Sequence, residues 1–174
     1  MMMTAAGWWA TSASAAAPEY QLKAVFLFQF SQFVEWPVTT SVQNAPFSLC
    51  VLGEDPFKKY LDQAVEGEAV DGRPFAVKRY QRVEEVEDCQ ILFIASSATL
   101  PLESTLAELR DRSILTVADS PAFADRGGVI EFVTVDNRLR LRINPQAAEA
   151  AGLTISSKLL SLASLVTRHP EPSQ

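Results

Sequence analysis

The sequence predicts an α/β fold: an open, mostly parallel sheet with helices on both faces and a C-terminal antiparallel hairpin. Three observations carry that prediction. Short, nearly continuous apolar runs alternate with stretches of helical periodicity, the pattern of strands buried on both faces and joined by crossover helices. Near the end the pattern changes to strict alternation on either side of Asp136-Asn137, a pair tolerant of positive φ. A chain of 174 residues with 48% apolar side chains builds one sizeable core but is short for two.

In chain order, a helix is expected from about Glu19 to Val34, with Leu22, Val25, Phe26, Phe30 and Phe33 at helical spacing, ended by Trp36-Pro37. Phe47 to Leu52 forms the first strand. Asp55-Pro56 supplies a cap and first-turn pair for a helix carrying Phe57, Tyr60, Leu61, Ala64 and Val65, stopped by Gly67. Strands follow at Phe75 to Tyr80 and Gln90 to Ala95, then a helix from Pro101 to Arg110 and a buried strand from Ser113 to Val117. Ser120-Pro121 starts a helical turn that ends at Gly127-Gly128.

The hairpin is read as Val129 to Val135 and Arg138 to Ile143. A two-residue loop puts Ile130, Phe132, Leu139, Leu141 and Ile143 on one face and sets Glu131 opposite Arg142 on the other. The row Arg138, Arg140, Arg142 reads either as an anion or partner contact, or as a solvated strand face paired with Glu131. Asn144-Pro145 caps a short Ala-rich helix closed by Gly152, and a last helix is expected from about Ser156 to Thr167.

Residues 1–17 carry no charged side chain and end in the small-residue tract Ser12 to Ala17 before Pro18, which resembles the cleavage end of a secretory signal peptide. There is no Lys or Arg ahead of the short apolar stretch, so a disordered Ala/Ser leader on a cytosolic protein is the alternative. Either way these residues stand apart from a single domain over 18–169, with a disordered tail over 170–174. The formal charge of −6 argues against the basic footprint that nucleic-acid binding demands. No apolar run approaches the roughly 20 residues that span a bilayer.

Cys50 and Cys89 are the two cysteines, each on or beside an apolar run. In a cytosolic chain they would be two buried thiols; in an exported one they are expected to form a disulfide between neighbouring strands. Their spacing fits neither a CxxC redox motif nor a zinc site, since the single histidine, His169, lies beside the polar tail. No GxSxG elbow, HExxH or phosphate-binding Gly-rich loop occurs, so no catalytic residue, metal ligand or cofactor is assigned and the chain is not read as an enzyme. Gly53, Asp55, Ser96 and Asp119 all follow strands, where open α/β sheets place their ligand crevice; turns and caps account equally for them. Trp36, directly after the first helix, and Arg142 are the candidate partner contacts, with burial under the Val38 to Phe47 loop as the equal alternative for Trp36.

The segments LKAVFLFQFSQFVEWP at Leu22 to Pro37, FSLCVLGEDPF at Phe47 to Phe57, VDGRP at Val70 to Pro74, DCQILFI at Asp88 to Ile94 and RLRLRINPQAAEAAGLTISSKLLSLA at Arg138 to Ala163 resemble the YfiR-like family. The resemblance implies a periplasmic α/β homodimer that represses a membrane-bound diguanylate cyclase by binding its periplasmic sensory domain. A second implied partner is an OmpA-like outer-membrane lipoprotein that sequesters the repressor. Cys50 and Cys89 match the family's cysteine positions, while the second pair that some members carry is missing. A periplasmic small-molecule-binding sensory module is the rival function.

Overall fold

The computed structural model describes residues 16–38 and 45–166. Most of the expected leader, most of the loop after Trp36, His169 and the tail lie outside the described residues.

Helix α1 (Ala16–Phe33) leads into a two-residue strand β1 (Val34–Glu35). The main sheet then takes β2 (Phe47–Leu52), β3 (Ala69–Val70), β4 (Arg73–Tyr80), β5 (Ile91–Ile94), β6 (Leu115–Ala118), β7 (Ile130–Val135) and β8 (Arg138–Ile143). Helix α2 (Lys59–Val65) follows β2, α3 (Leu102–Glu108) follows β5, and a 3-10 turn (Val83–Glu85) follows β4. The chain closes with α4 (Pro145–Ala150), β9 (Thr154–Ile155), α5 (Ser157–Ser161) and β10 (Ser164–Leu165). The eight-stranded sheet runs β10-β8-β7-β6-β5-β2-β4-β3, with β4, β2, β5, β6 and β7 mutually parallel. The predicted fold class is therefore the observed one.

Strands β2, β5 and β6 are buried at every position, which is why they read as continuous apolar runs. Their side chains divide by parity. Leu49, Val51, Ile91, Phe93, Leu115 and Val117 pack under α1 and α2. Cys50, Leu52, Leu92, Ile94 and Ala118 face the other way, toward Leu106 and Leu109 at α3, Val83 and Phe123. Each face thus has its own apolar layer, and the helices divide between the two faces.

The hairpin has the predicted register: Ile130 pairs with Ile143, Glu131 with Arg142 and Phe132 with Leu141. Asp136 and Asn137 take φ of 48° and 58°, the left-handed pair that a two-residue loop needs to match strand twist.

Other details differ from expectation. The buried stripe of α1 is Lys23, Ala24, Leu27, Phe30 and Ser31, while Leu22 and Val25 are exposed. Apolar residues occur on nearly every side of this helix, so periodicity alone does not select the face. Asp55 does not cap α2: its Oδ1 accepts from the Phe57 N–H at 2.8 Å, forming a turn, and the helix begins at Lys59. The expected final helix stops at Ser161, because the chain then pairs with β8 as β10. Strands β1 and β9 form a separate antiparallel pair, with the Ser156 N–H bonded to the Phe33 carbonyl at 2.8 Å. Two-residue strands carry too little pattern to be legible in sequence.

Candidate functional site

The chain reverses direction across the sheet between β2 and β5, since β4 lies on one side of β2 and β5 on the other. The carboxyl ends of these two strands flank the switch point, where open α/β sheets place ligands. Gly53 and Asp55 follow β2, Ser96 follows β5 and Asp119 follows β6, so all four predicted crevice residues lie along the same end of the sheet.

Within that end, three of the four predicted residues are engaged by the chain's own groups, and a cavity of about 70 Å³ lined by Leu52, Ala98 and Thr99 lies beside them. Gly53 has φ +93°, and a Cβ there would lie 3.0 Å from both the Ala98 nitrogen and the Ser97 hydroxyl. Ser97 Oγ in turn accepts from the Glu54 N–H at 2.8 Å. The two loops touch through backbone and one hydroxyl, and Ser96, the predicted neighbour, is exposed. Asp55 Oδ2 accepts from Arg79 Nε at 2.6 Å, and the same guanidinium reaches Asp62 at 2.6 Å. Asp119 accepts from the Tyr20 hydroxyl at 2.9 Å and from Lys23 Nζ at 2.7 Å.

The close loop contact makes a checkable prediction. Gly53→Ala combines strain from positive φ with a collision and is expected to destabilise by about 1–3 kcal/mol. Gly67 also has positive φ (+74°), but nothing lies within 4 Å of its would-be Cβ. Gly67→Ala should therefore lose less in urea denaturation, and equal losses would show that the loop contact contributes nothing.

Sequence reasoning missed the partner of Asp119. Lys23 is 2% exposed and bridges Asp119 and, at 2.6 Å, Glu19 one helical turn before it. Burial, reinforced by Asp119 alongside, pushes the Tyr20 hydroxyl well above its ordinary value, so it remains a proton donor to that carboxylate. Lys23 stands at the head of the apolar run Ala24 to Phe28, and only that position hints at burial. Its carboxylate is 96 residues away.

Trp36 is half-buried. Its indole N–H donates to the Gln90 carbonyl at 3.2 Å and its ring meets Phe47 edge-on with centroids 5.0 Å apart. Together with Phe47, Val70 and Arg73 it lines a cavity of about 540 Å³ at the amino ends of β2 and β4. Arg142 is half-buried and engaged by two carboxylates of its own chain. Its guanidinium donates to both Asp125 oxygens at 2.8 and 3.0 Å and to Glu131 at 3.0 Å. Hydrogen bonding from Arg142 holds the Asp125 carboxyl below its ordinary range. Buried Glu131 also accepts from the Ala122 and Ala124 N–H groups at 3.1 Å each, pinning the turn after β6 to the hairpin.

Cys50 on β2 and Cys89 just ahead of β5 form a disulfide with Cα atoms 6.2 Å apart. The β2–β5 pairing, with Leu49 beside Ile91, brings them together. Among the described residues no His/Cys/Asp/Glu cluster suits a metal ion, no buried side-chain nitrogen or oxygen lacks a hydrogen-bond partner, and no helix is long and apolar enough to cross a membrane.

Fold and site together define a disulfide-bridged, doubly wound α/β domain whose strand-end carboxylates Asp55 and Asp119 are engaged by its own side chains. The YfiR/HmsC-like family model matches residues 20–164, and the chain belongs to that family. A crystal structure of a conserved domain protein from Vibrio cholerae O1 biovar El Tor shares the fold, with a TM-score of 0.57 at 12% identity. The match covers 84% of this chain and 59% of that one, so this chain spans less than two thirds of that protein. No curated protein matches the sequence.

Proposed function

We propose that this chain is a periplasmic repressor that binds the periplasmic sensory domain of an inner-membrane diguanylate cyclase and lowers cyclic di-GMP without chemistry of its own. The observation that carries this reading is the family match over residues 20–164. The disulfide fits an exported protein. In this reading residues 1–17 are the export leader, residues 18–169 are the working domain, and the chain acts as a homodimer. An OmpA-like outer-membrane lipoprotein then relieves repression by sequestering it.

Trp36 is the proposed partner anchor, because a half-buried indole beside an open cavity offers apolar area that a partner can bury. Arg142 contributes by holding the hairpin against the turn after β6, with a side chain that stays one-third exposed within reach of a partner carboxylate. The test measures binding of the mature chain to the periplasmic sensory domains of the inner-membrane diguanylate cyclases of the same organism, together with cellular cyclic di-GMP in a deletion strain. Binding should be weakened by Trp36→Ala with the fold intact by circular dichroism, and deletion should raise cyclic di-GMP. Absence of binding together with unchanged cyclic di-GMP would sink the reading.

A further inference from the structure

The outer half of the terminal hairpin joins three features. First, β10 pairs only with the far end of β8, through Ser164–Arg142 and Leu165–Ile143. No strand among the described residues therefore pairs with the outer side of Arg138–Leu141, and a strand edge stays open. Second, Arg138 and Arg140 are exposed, and neither makes a salt bridge or side-chain hydrogen bond among the described residues, in contrast to Arg142 beside them. Third, their cross-strand partners are Val135 and Val133, the first exposed and the second half-buried, with no carboxylate opposite. Arg138 and Arg140 thus set two unpaired cations on one strand face beside an open edge, in a chain of net charge −6.

We propose that the open edge of β8 and the sheet face bearing Arg138 and Arg140 dock an extended acidic segment of a partner protein, which joins the sheet as a further strand. The chemistry selects that occupant. Residues two apart on a strand share one face and lie about 7 Å apart. An added strand with carboxylates at alternate positions places them opposite both guanidiniums, while backbone hydrogen bonds along the edge supply affinity. A second copy of this chain fits poorly, because two β8 edges paired antiparallel set arginine against arginine, and like charges directly opposite are destabilising. The inference rests on the regulatory reading only for the identity of the protein that supplies the segment.

The test uses the mature chain, residues 18–174, in three forms: parent, Arg138→Glu/Arg140→Glu, and Arg138→Lys/Arg140→Lys. Matching circular dichroism and melting curves establish that all three fold. The probe is a fluorescent nonapeptide with glutamate at alternate positions in a valine–threonine background, beside its glutamine twin. The glutamate peptide should bind the parent and the lysine variant, weaken as salt rises, and lose about tenfold or more in affinity for the charge-reversed variant. The glutamine twin should lose a similar factor on the parent. Equal affinity of the two peptides, or indifference to charge reversal, overturns the proposal. So does a parent that ignores the glutamate peptide yet binds vesicles containing phosphatidylglycerol, which would make the strip a membrane contact. The peptide arm separates the two readings. Peptide binding without binding to the cyclase domain keeps the strip and removes the regulatory reading. A cyclase domain that binds parent and charge-reversed chain equally keeps the regulatory reading and overturns the strip as its site.

Discussion

Asp119→Ala should destabilise the domain by about 3–5 kcal/mol, because it leaves a buried ammonium without its main counter-charge. The Lys23 side chain is 3% exposed, whereas its remaining partner, Glu19, is 43% exposed and engaged from the solvent side. Water cannot replace the lost carboxylate at that depth without opening the contact between α1 and the end of β6. The Tyr20 hydroxyl loses its acceptor in the same step. Lys23→Met should cost less, about 1–2 kcal/mol, because the new side chain fits the apolar surroundings and Asp119 keeps the Tyr20 hydrogen bond. Urea denaturation checks both through the midpoint at unchanged slope. An Asp119→Ala variant that loses no more than Lys23→Met would mean that the ammonium reaches solvent, and the role given to this pair would be wrong. Against a total stability of about 5–15 kcal/mol, the larger loss is enough to populate unfolded chain.

Reduction of the Cys50–Cys89 bridge has the second-largest expected effect. The cysteines are 39 residues apart in sequence. Where the bridge acts through chain entropy, releasing a loop of that length returns about 4 kcal/mol of conformational freedom to the unfolded chain. For a domain of this size the melting temperature should fall by about 8–16 °C. The native fold should survive reduction under mild conditions, since Cys50 lies within an apolar layer with Leu52, Leu92 and Ile94 that persists without the bond. Thermal melts with and without reductant, followed by thiol counting in denaturant, provide the check. Two reactive thiols in unreduced protein from the periplasm, or an unchanged melting temperature on reduction, would contradict the expectation.

These two features differ in how they can be read. The cysteines are visible as residue types, and once β2 and β5 are recognised as strands their pairing needs only those strands to be neighbours. Lys23 and Asp119 carry no such mark. A lysine at the head of an apolar run and an aspartate after a strand each have ordinary explanations, and only the packing of α1 over the end of β6 reveals them as partners. The crevice residues behave in the same way. Their place after strands was legible, but their engagement by Ser97 and by the side chains of Lys23, Tyr20 and Arg79 depends on loop paths that no local pattern specifies.

By itself, the sequence determined the class of fold, the apolar strands, the hairpin with its register, and the bridge once export was assumed. Each follows from short-range rules: period-two alternation, the positive φ tolerated at Asp136 and Asn137, and burial of strands on both faces. The tertiary structure alone decided which side of α1 is buried, the strand order that sets the switch point between β2 and β5, and the internal capture of Arg142 by Asp125 and Glu131. The physical reason is range. A helix apolar on most sides has no preferred face until a sheet is laid against it, and a charged side chain acquires its partner only when distant segments meet.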